Sequence, residues 1–178
     1  MASPTTLDHT SGDLTLHTGR AGVASRVGHD LTLRVGRWTA EVTRGADSRA
    51  TAVRVVADLS SLEVVRGDGG LKPLSDKDRR TILANALETL KAAKHPELVF
   101  EADGLSVGEG RTKVVGTATL AGRTEPQAVD VVVAAGGTSV TVTGEVVQSA
   151  FGVTPYTGML GALKVRDAVE VRASLTLG

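Results

Sequence analysis

The chain has 178 residues, 41% hydrophobic and 22% charged, with Lys plus Arg equal to Asp plus Glu and a formal net charge of zero. This describes one soluble domain and argues against a nucleic-acid or anionic-membrane partner, both of which reward a basic excess; 2% aromatic residues supply no stacking platform for single strands either. Zero Cys excludes disulfides, thiol catalysis and Cys-based zinc or iron–sulfur sites.

Residues 1–11 read as a polar leader, with residues 12–178 as a single barrel domain. The opening MASPTTLDHTSGDL has neither a basic n-region nor an apolar h-region, and the longest apolar run, 131–135, is too short to cross a bilayer. A cytoplasmic protein without a transmembrane segment is therefore expected.

Residues 13–18 alternate Leu14 and Leu16 with polar neighbours, the period of a half-buried strand, and 19–28 read as a connection. Alternation resumes with Leu31, Leu33 and Val35, then reverses at Gly36 and Arg37 into Trp38, Ala40 and Val42, which predicts a tight turn or bulge between two paired strands. A strand over 50–59 follows, and the run Gly67, Asp68, Gly69, Gly70 is a turn signal. Arg66, Gly67 and Asp68 spell an adhesion tripeptide, which in this setting is read as part of that turn.

Beyond it the period changes. Ser75 and Asp78 form a short variant of a capping box, Ile82, Leu83, Ala86, Leu87 and Leu90 share a helical face, and Pro96 stops the run, which predicts one α-helix over about 75–94. Leu98, Phe100 and Ala102 open another strand. Strands over 112–121, 128–134, 138–147 and 168–177 follow, with a hairpin at Gly136 and Gly137. Eight or so antiparallel strands with one inserted helix predict an all-β fold, an up-and-down barrel that hides its edges by closing on itself. The small residues Ala57, Ala102, Gly116, Ala118 and Gly144 on inward faces leave room for a ligand; the competing reading is a barrel filled by Leu and Val meeting across its axis.

Residues 148–167 hold Phe151, Tyr156 and Met159 among Gly152, Gly158 and Gly161, with Pro155 interrupting. The stretch is too broken for a strand or helix and too apolar for a solvated loop. Two readings stand: a shaped flap against or across an opening, or a long loop tucked under a sheet edge. No GxSxG, HExxH, P-loop or complete GxGxxG is present, and the four His, at 9, 17, 29 and 95, have no metal-ligand spacing. His29 with Asp30 is the one arrangement resembling a poised imidazole, able to orient a headgroup or simply to satisfy the backbone of a turn.

The segments GHDLTL (28–33), DLSSLEV (58–64), HPELVFEA (95–102), VVGTATLAGRT (114–124), QSAFGV (148–153) and LKVRDAVEV (163–171), in that order, resemble the YceI-like family over about 12–177. These are lipocalin-like barrels associated with polyisoprenoid binding, in which Arg is common where this chain has Gln148. The resemblance implies an elongated antiparallel barrel with an apolar tunnel for a polyisoprenoid, isoprenoid quinone or similar long-chain amphiphile, rather than a catalytic pocket. The expected lining is Leu31, Leu33, Trp38, Phe100, Ala118 and Val142, with Phe151, Tyr156 and Met159 near an end and His29 as a candidate headgroup contact. No catalytic residue, metal or cofactor is expected, and a homodimer is a further candidate partnership. The alternatives are an enzyme acting on a lipid-like substrate through His29 and Asp30, and a solid barrel acting as an interaction or stress protein.

Overall fold

Residues alternating at period two place one face of each strand inward, and that pattern builds most of the molecule. The structure, a computed structural model, describes residues 4–177. Its elements are β1 (Thr5–Asp8), β2 (Gly12–His17), β3 (Arg20–Ala21), β4 (His29–Val35), β5 (Trp38–Arg44), β6 (Ala50–Asp58), β7 (Leu62–Gly69), α1 (Asp76–Thr89), β8 (Glu97–Ala102), β9 (Gly110–Leu120), β10 (Arg123–Val133), β11 (Ser139–Val147), β12 (Thr157–Gly158), β13 (Leu163–Val165) and β14 (Ala168–Thr176).

Gly36 and Arg37 do not reverse the chain. β4 and β5 are not paired with each other; they are successive parts of one long bent strand. It runs beside a second bent strand made of β6 and β7, with Val35 opposite Leu62 and Trp38 opposite Ala57. The bend is held across the pair: the amide of Gly36 donates to the Ser61 carbonyl at 3.0 Å and the amide of Asp58 to the Arg37 carbonyl at 3.0 Å. The Asp58 carboxylate accepts from the Arg37 guanidinium at 2.8 and 3.0 Å and from the amide of Ser60 at 2.8 Å, fixing the short 3-10 turn Leu59–Ser61 between β6 and β7.

This continuity closes the sheet. β1 pairs with β5 and β2 with β4, so β1 and β2 flank the first bent strand; β6 pairs with β8, and β8, β9, β10, β11, β14 and β2 follow as antiparallel neighbours. The circuit therefore returns to its start, an up-and-down antiparallel barrel in whose main sheet β1 and β7 pair on one side only.

Three sequence expectations need correcting. Thr5–Asp8, assigned to a polar leader, form a strand against β5, because Leu7 supplies an apolar side chain to the interior; residues 1–3 of that leader lie outside the described residues. Gly67, Asp68 and Gly69 are in β7, opposite Leu31, Asp30 and His29, so the turn falls one step later and the adhesion tripeptide is strand. The helix ends at Thr89 rather than near 94. Lys91 adopts φ 55°, its amide donates to Glu88 and that of Ala92 to Leu87, a Schellman closure that stops the helix before Pro96 is reached. Its start is as expected: Ser75 Oγ accepts from the Asp78 amide at 3.1 Å and the Asp78 carboxylate accepts from the Ser75 amide at 2.8 Å.

The barrel is closed at one end by a plug. Leu33, Leu62, Leu120, Ala121, Phe151 and Val153 are buried there, with Leu83 and Leu87 of α1 and its C-cap Leu90 packed against them. Among the described residues no helix is long and apolar enough to cross a membrane. The outer wall carries the ion pairs Arg34–Glu63, Arg54–Glu101 and Arg172–Glu170, with Val115 and Val132 exposed among them.

Candidate ligand-binding cavity

Above the plug the barrel encloses a cavity of about 750 Å³, within the range of small-molecule sites. Its wall is apolar and mostly aliphatic. β10 contributes Val129, Val131 and Val133, β11 Val140 and Val142, and β14 Val171, Ala173 and Leu175, alternate residues of strands whose intervening side chains face outward. The volume survives because Ala40, Ala57, Ala118, Gly144 and Ala173 stand where larger residues would meet across the axis. Gly144 also lies close to its neighbour: a Cβ there would come within 2.9 Å of Val129.

Polar atoms within the wall have partners. The Gln127 side-chain amide donates to the carbonyls of Ala128 at 2.9 Å and Glu145 at 3.0 Å, so it presents no unmet donor to an apolar guest. Charge gathers at the mouth, where the β5–β6, β8–β9 and β10–β11 turns bring Arg44, Asp47, Arg49 and Glu109 to the rim. These turns are tied to one another: Arg49 Nε donates to Ser106 Oγ at 2.8 Å, and Glu109 Oε1 accepts from the Gly136 amide at 2.8 Å.

The ten residues expected to line the site separate into groups. Trp38, Phe100, Ala118 and Val142 are on the cavity wall. Leu33 (3% exposed) and Phe151 (2%) belong to the plug beneath it, and Leu31 packs against the same cluster. Tyr156 and Met159 are exposed on the outside of the closed end. His29 is on the far part of β4, away from the cavity, with its ring Nε2 hydrogen-bonded to the Lys72 carbonyl at 2.8 Å; Asp30 accepts instead from the Arg20 amide at 2.9 Å. Of the small residues, Ala57, Ala118 and Gly144 face the cavity, and Ala102 is buried inward in a cluster with Val107 and Val114 beside Phe100 and Val129, where a Cβ on Gly116 would come within 2.8 Å of it.

Residues 148–167 lie across one end of the barrel, as the flap reading has it, but away from the cavity mouth. They close the barrel at the end opposite the mouth, as two short 3-10 turns and the strands β12 and β13, which pair with β3 in a small second sheet. Only Gln148, Phe151 and Val153 of the segment are deeply buried. The rim residues Arg44, Arg49 and Glu109 were not singled out in the sequence, since three turns far apart in the chain meet only in the fold. Val140, Val171 and Leu175 were legible in principle, as the alternation of 138–147 and 168–177 already marks them as inward.

The YceI-like domain family matches residues 6–177. The chain belongs to the YceI-like family. Among solved structures, this YceI-like barrel is similar to BcnA of Burkholderia cenocepacia, with 18% identity, coverage of 94% of this chain and 96% of that one, and a TM-score of 0.65. It is similar also to a YCEI protein of Campylobacter jejuni, with 17% identity, 82% and 85% coverage and a TM-score of 0.51. At these identities the likeness is one of fold. No curated protein matches the chain by sequence.

Proposed function

We propose that this YceI-like barrel is a non-catalytic binding protein that holds a polyisoprenoid, an isoprenoid quinone or a comparable long-chain amphiphile. The observation that carries the reading is the 750 Å³ cavity, apolar along its wall and open at one charged rim. An apolar chain entering it gains about 25 cal/mol per Å² of surface removed from water and needs few polar contacts. A polar headgroup would then remain at the mouth, near Arg44 and Arg49, rather than at His29 as the sequence suggested.

Catalysis through His29 and Asp30 finds no support in their surroundings: each is engaged in backbone hydrogen bonds at the closed end, and neither faces the cavity. Mass spectrometry of an organic extract of the purified protein, with native mass spectrometry of the intact complex, tests the proposal. A long-chain apolar molecule in near one-to-one ratio is expected. A protein that neither contains nor takes up such a molecule is not a carrier.

A further inference from the structure

The closed end carries an exposed apolar tip that neither the barrel nor the cavity uses. Val23, between β3 and β4, is 95% exposed, and Leu160, between β12 and β13, is fully exposed. Both project from loops that meet: the Ala24 amide donates to the Ala162 carbonyl at 2.9 Å, and Gly22 packs so closely on the same carbonyl that a Cβ would stand 2.4 Å from it. Met159 and Val27 extend the patch at 61% and 36% exposure.

The backbone at the tip is constrained. Met159 and Leu160 have φ values of 49° and 55°, the left-handed region that glycine enters freely and branched residues enter at a cost. Glycine would satisfy that backbone, yet the chain places two large apolar side chains there and turns them outward. The small sheet of β12, β13 and β3 holds both loops on the plugged end, with Lys164 opposite Ala21 and Val165 opposite Arg20.

Charge on the two tip loops has one sign, while the flanking Asp30 and Asp167 are engaged by Arg20 and by the Ser149 amide. Residues 19–28 and 152–166 contain Arg20, Arg26, Lys164 and Arg166 and no Asp or Glu, in a protein whose formal net charge is zero. Arg20 is paired with Asp30, but Arg26, Lys164 and Arg166 are exposed and belong to none of the ion pairs among the described residues. Protruding apolar side chains flanked by unpaired cations match an anionic lipid surface, into whose headgroup layer the side chains insert while the cations stay at its face.

We propose that the tip formed by Val23, Val27, Met159 and Leu160, with Arg26, Lys164 and Arg166, docks this protein reversibly on an anionic membrane surface. The cavity mouth then faces away from that surface, so docking tethers the barrel without occluding its opening. The inference does not depend on what the cavity holds.

The test is co-sedimentation of the full chain with phosphatidylglycerol-rich vesicles and with pure phosphatidylcholine vesicles, at low and high salt. Binding to the anionic vesicles that weakens at high salt is expected, with little binding to phosphatidylcholine. The pair Lys164→Gln and Arg166→Gln should weaken it by about fivefold for each charge removed. The pair Val23→Asp and Leu160→Asp should weaken it by at least about tenfold, and the milder Val23→Ser and Leu160→Ser by less. All four residues are exposed, so melting temperature and circular dichroism should match the parent. No binding to anionic vesicles, or binding that these variants leave intact, overturns the proposal. So does a concentration-dependent oligomer that the Asp variants dissolve in the absence of vesicle binding, which would make the tip a protein interface. Ligand content in organic extracts should be the same in every variant, which separates this proposal from the one for the cavity.

Discussion

Gln148 and Arg166 join the two ends of the segment that closes the barrel. The Gln148 side-chain amide donates to the Arg166 carbonyl at 3.1 Å while its backbone amide donates to the Asp167 carbonyl at 3.0 Å, and the residue is 6% exposed. Asp167 completes the clamp by accepting from the Ser149 amide at 2.7 Å. Replacement of Gln148 by Leu should leave the Arg166 carbonyl without its donor and lower stability by about 1–3 kcal/mol. Calorimetric melting of Gln148→Leu checks this; an unchanged melting temperature would mean that water replaces the amide.

The plug and the tip should respond oppositely to substitution. Phe151, at 2% exposure, packs under the cavity with Val153, and Phe151→Ala should cost about 3–5 kcal/mol. Met159→Asp, on the outside of the same segment, should alter stability by less than about 0.5 kcal/mol and leave any bound ligand in place. Denaturant titration of both, with ligand content measured in parallel, distinguishes them. Loss of ligand from Met159→Asp would place the segment over the cavity after all.

Filling the cavity should abolish uptake without unfolding the wall. Val142 faces the interior midway along β11, opposite Ala173 and Val131, so the indole of Val142→Trp would enter the volume that the small residues leave. Binding of a fluorescent apolar probe should fall by at least about tenfold, with the fold kept at a cost of about 1–3 kcal/mol from overpacking. Retained binding together with retained fold would show that the probe binds elsewhere.

Stability should decline on the acid side of neutrality because of His17. Burial, and then the nearby Arg172 guanidinium, hold its imidazole below the usual value of 6.5, against the opposing pull of Glu170. The unfolded chain therefore binds the proton at higher pH than the folded one. The stabilising contribution is fully present above about pH 6.5 and is lost as pH falls through the lower folded value. His17→Gln should flatten the dependence of melting temperature on pH in that window. Hydrogen bonds from Ser60 and Arg37 lower Asp58 in the same sense, so a second decline, insensitive to His17, should follow below the ordinary carboxylate range.

Much of the wall was legible before the fold was known. The alternation of Trp38, Ala40 and Val42, of Leu98 and Phe100, and of Val140 to Val146 states which side chains share a face, because a strand's period is local. The capping box of Ser75 and Asp78 was legible for the same reason, since its partners are three residues apart. Leu33 and Phe151 show the limit of that reading. Both are apolar and inward, yet they lie in the plug rather than on the cavity wall, because periodicity assigns a face and not a height along the barrel axis.

By itself, then, the sequence pointed to an antiparallel barrel with one capped helix, with small inward residues that left both a cavity and a filled core open, and to the YceI-like family through six ordered segments. Only the tertiary structure decided that β4 and β5 are one bent strand, since Gly36 and Arg37 read equally as a turn until Ser61 and Asp58 are seen bonded across from them. It alone decided which end opens, because Arg44, Glu109 and Gly136 come from turns separated by dozens of residues. A chain of zero net charge likewise conceals that Arg26, Lys164 and Arg166 gather beside Val23 and Leu160, for a sum over residues carries no positions and electrostatic attraction depends on them.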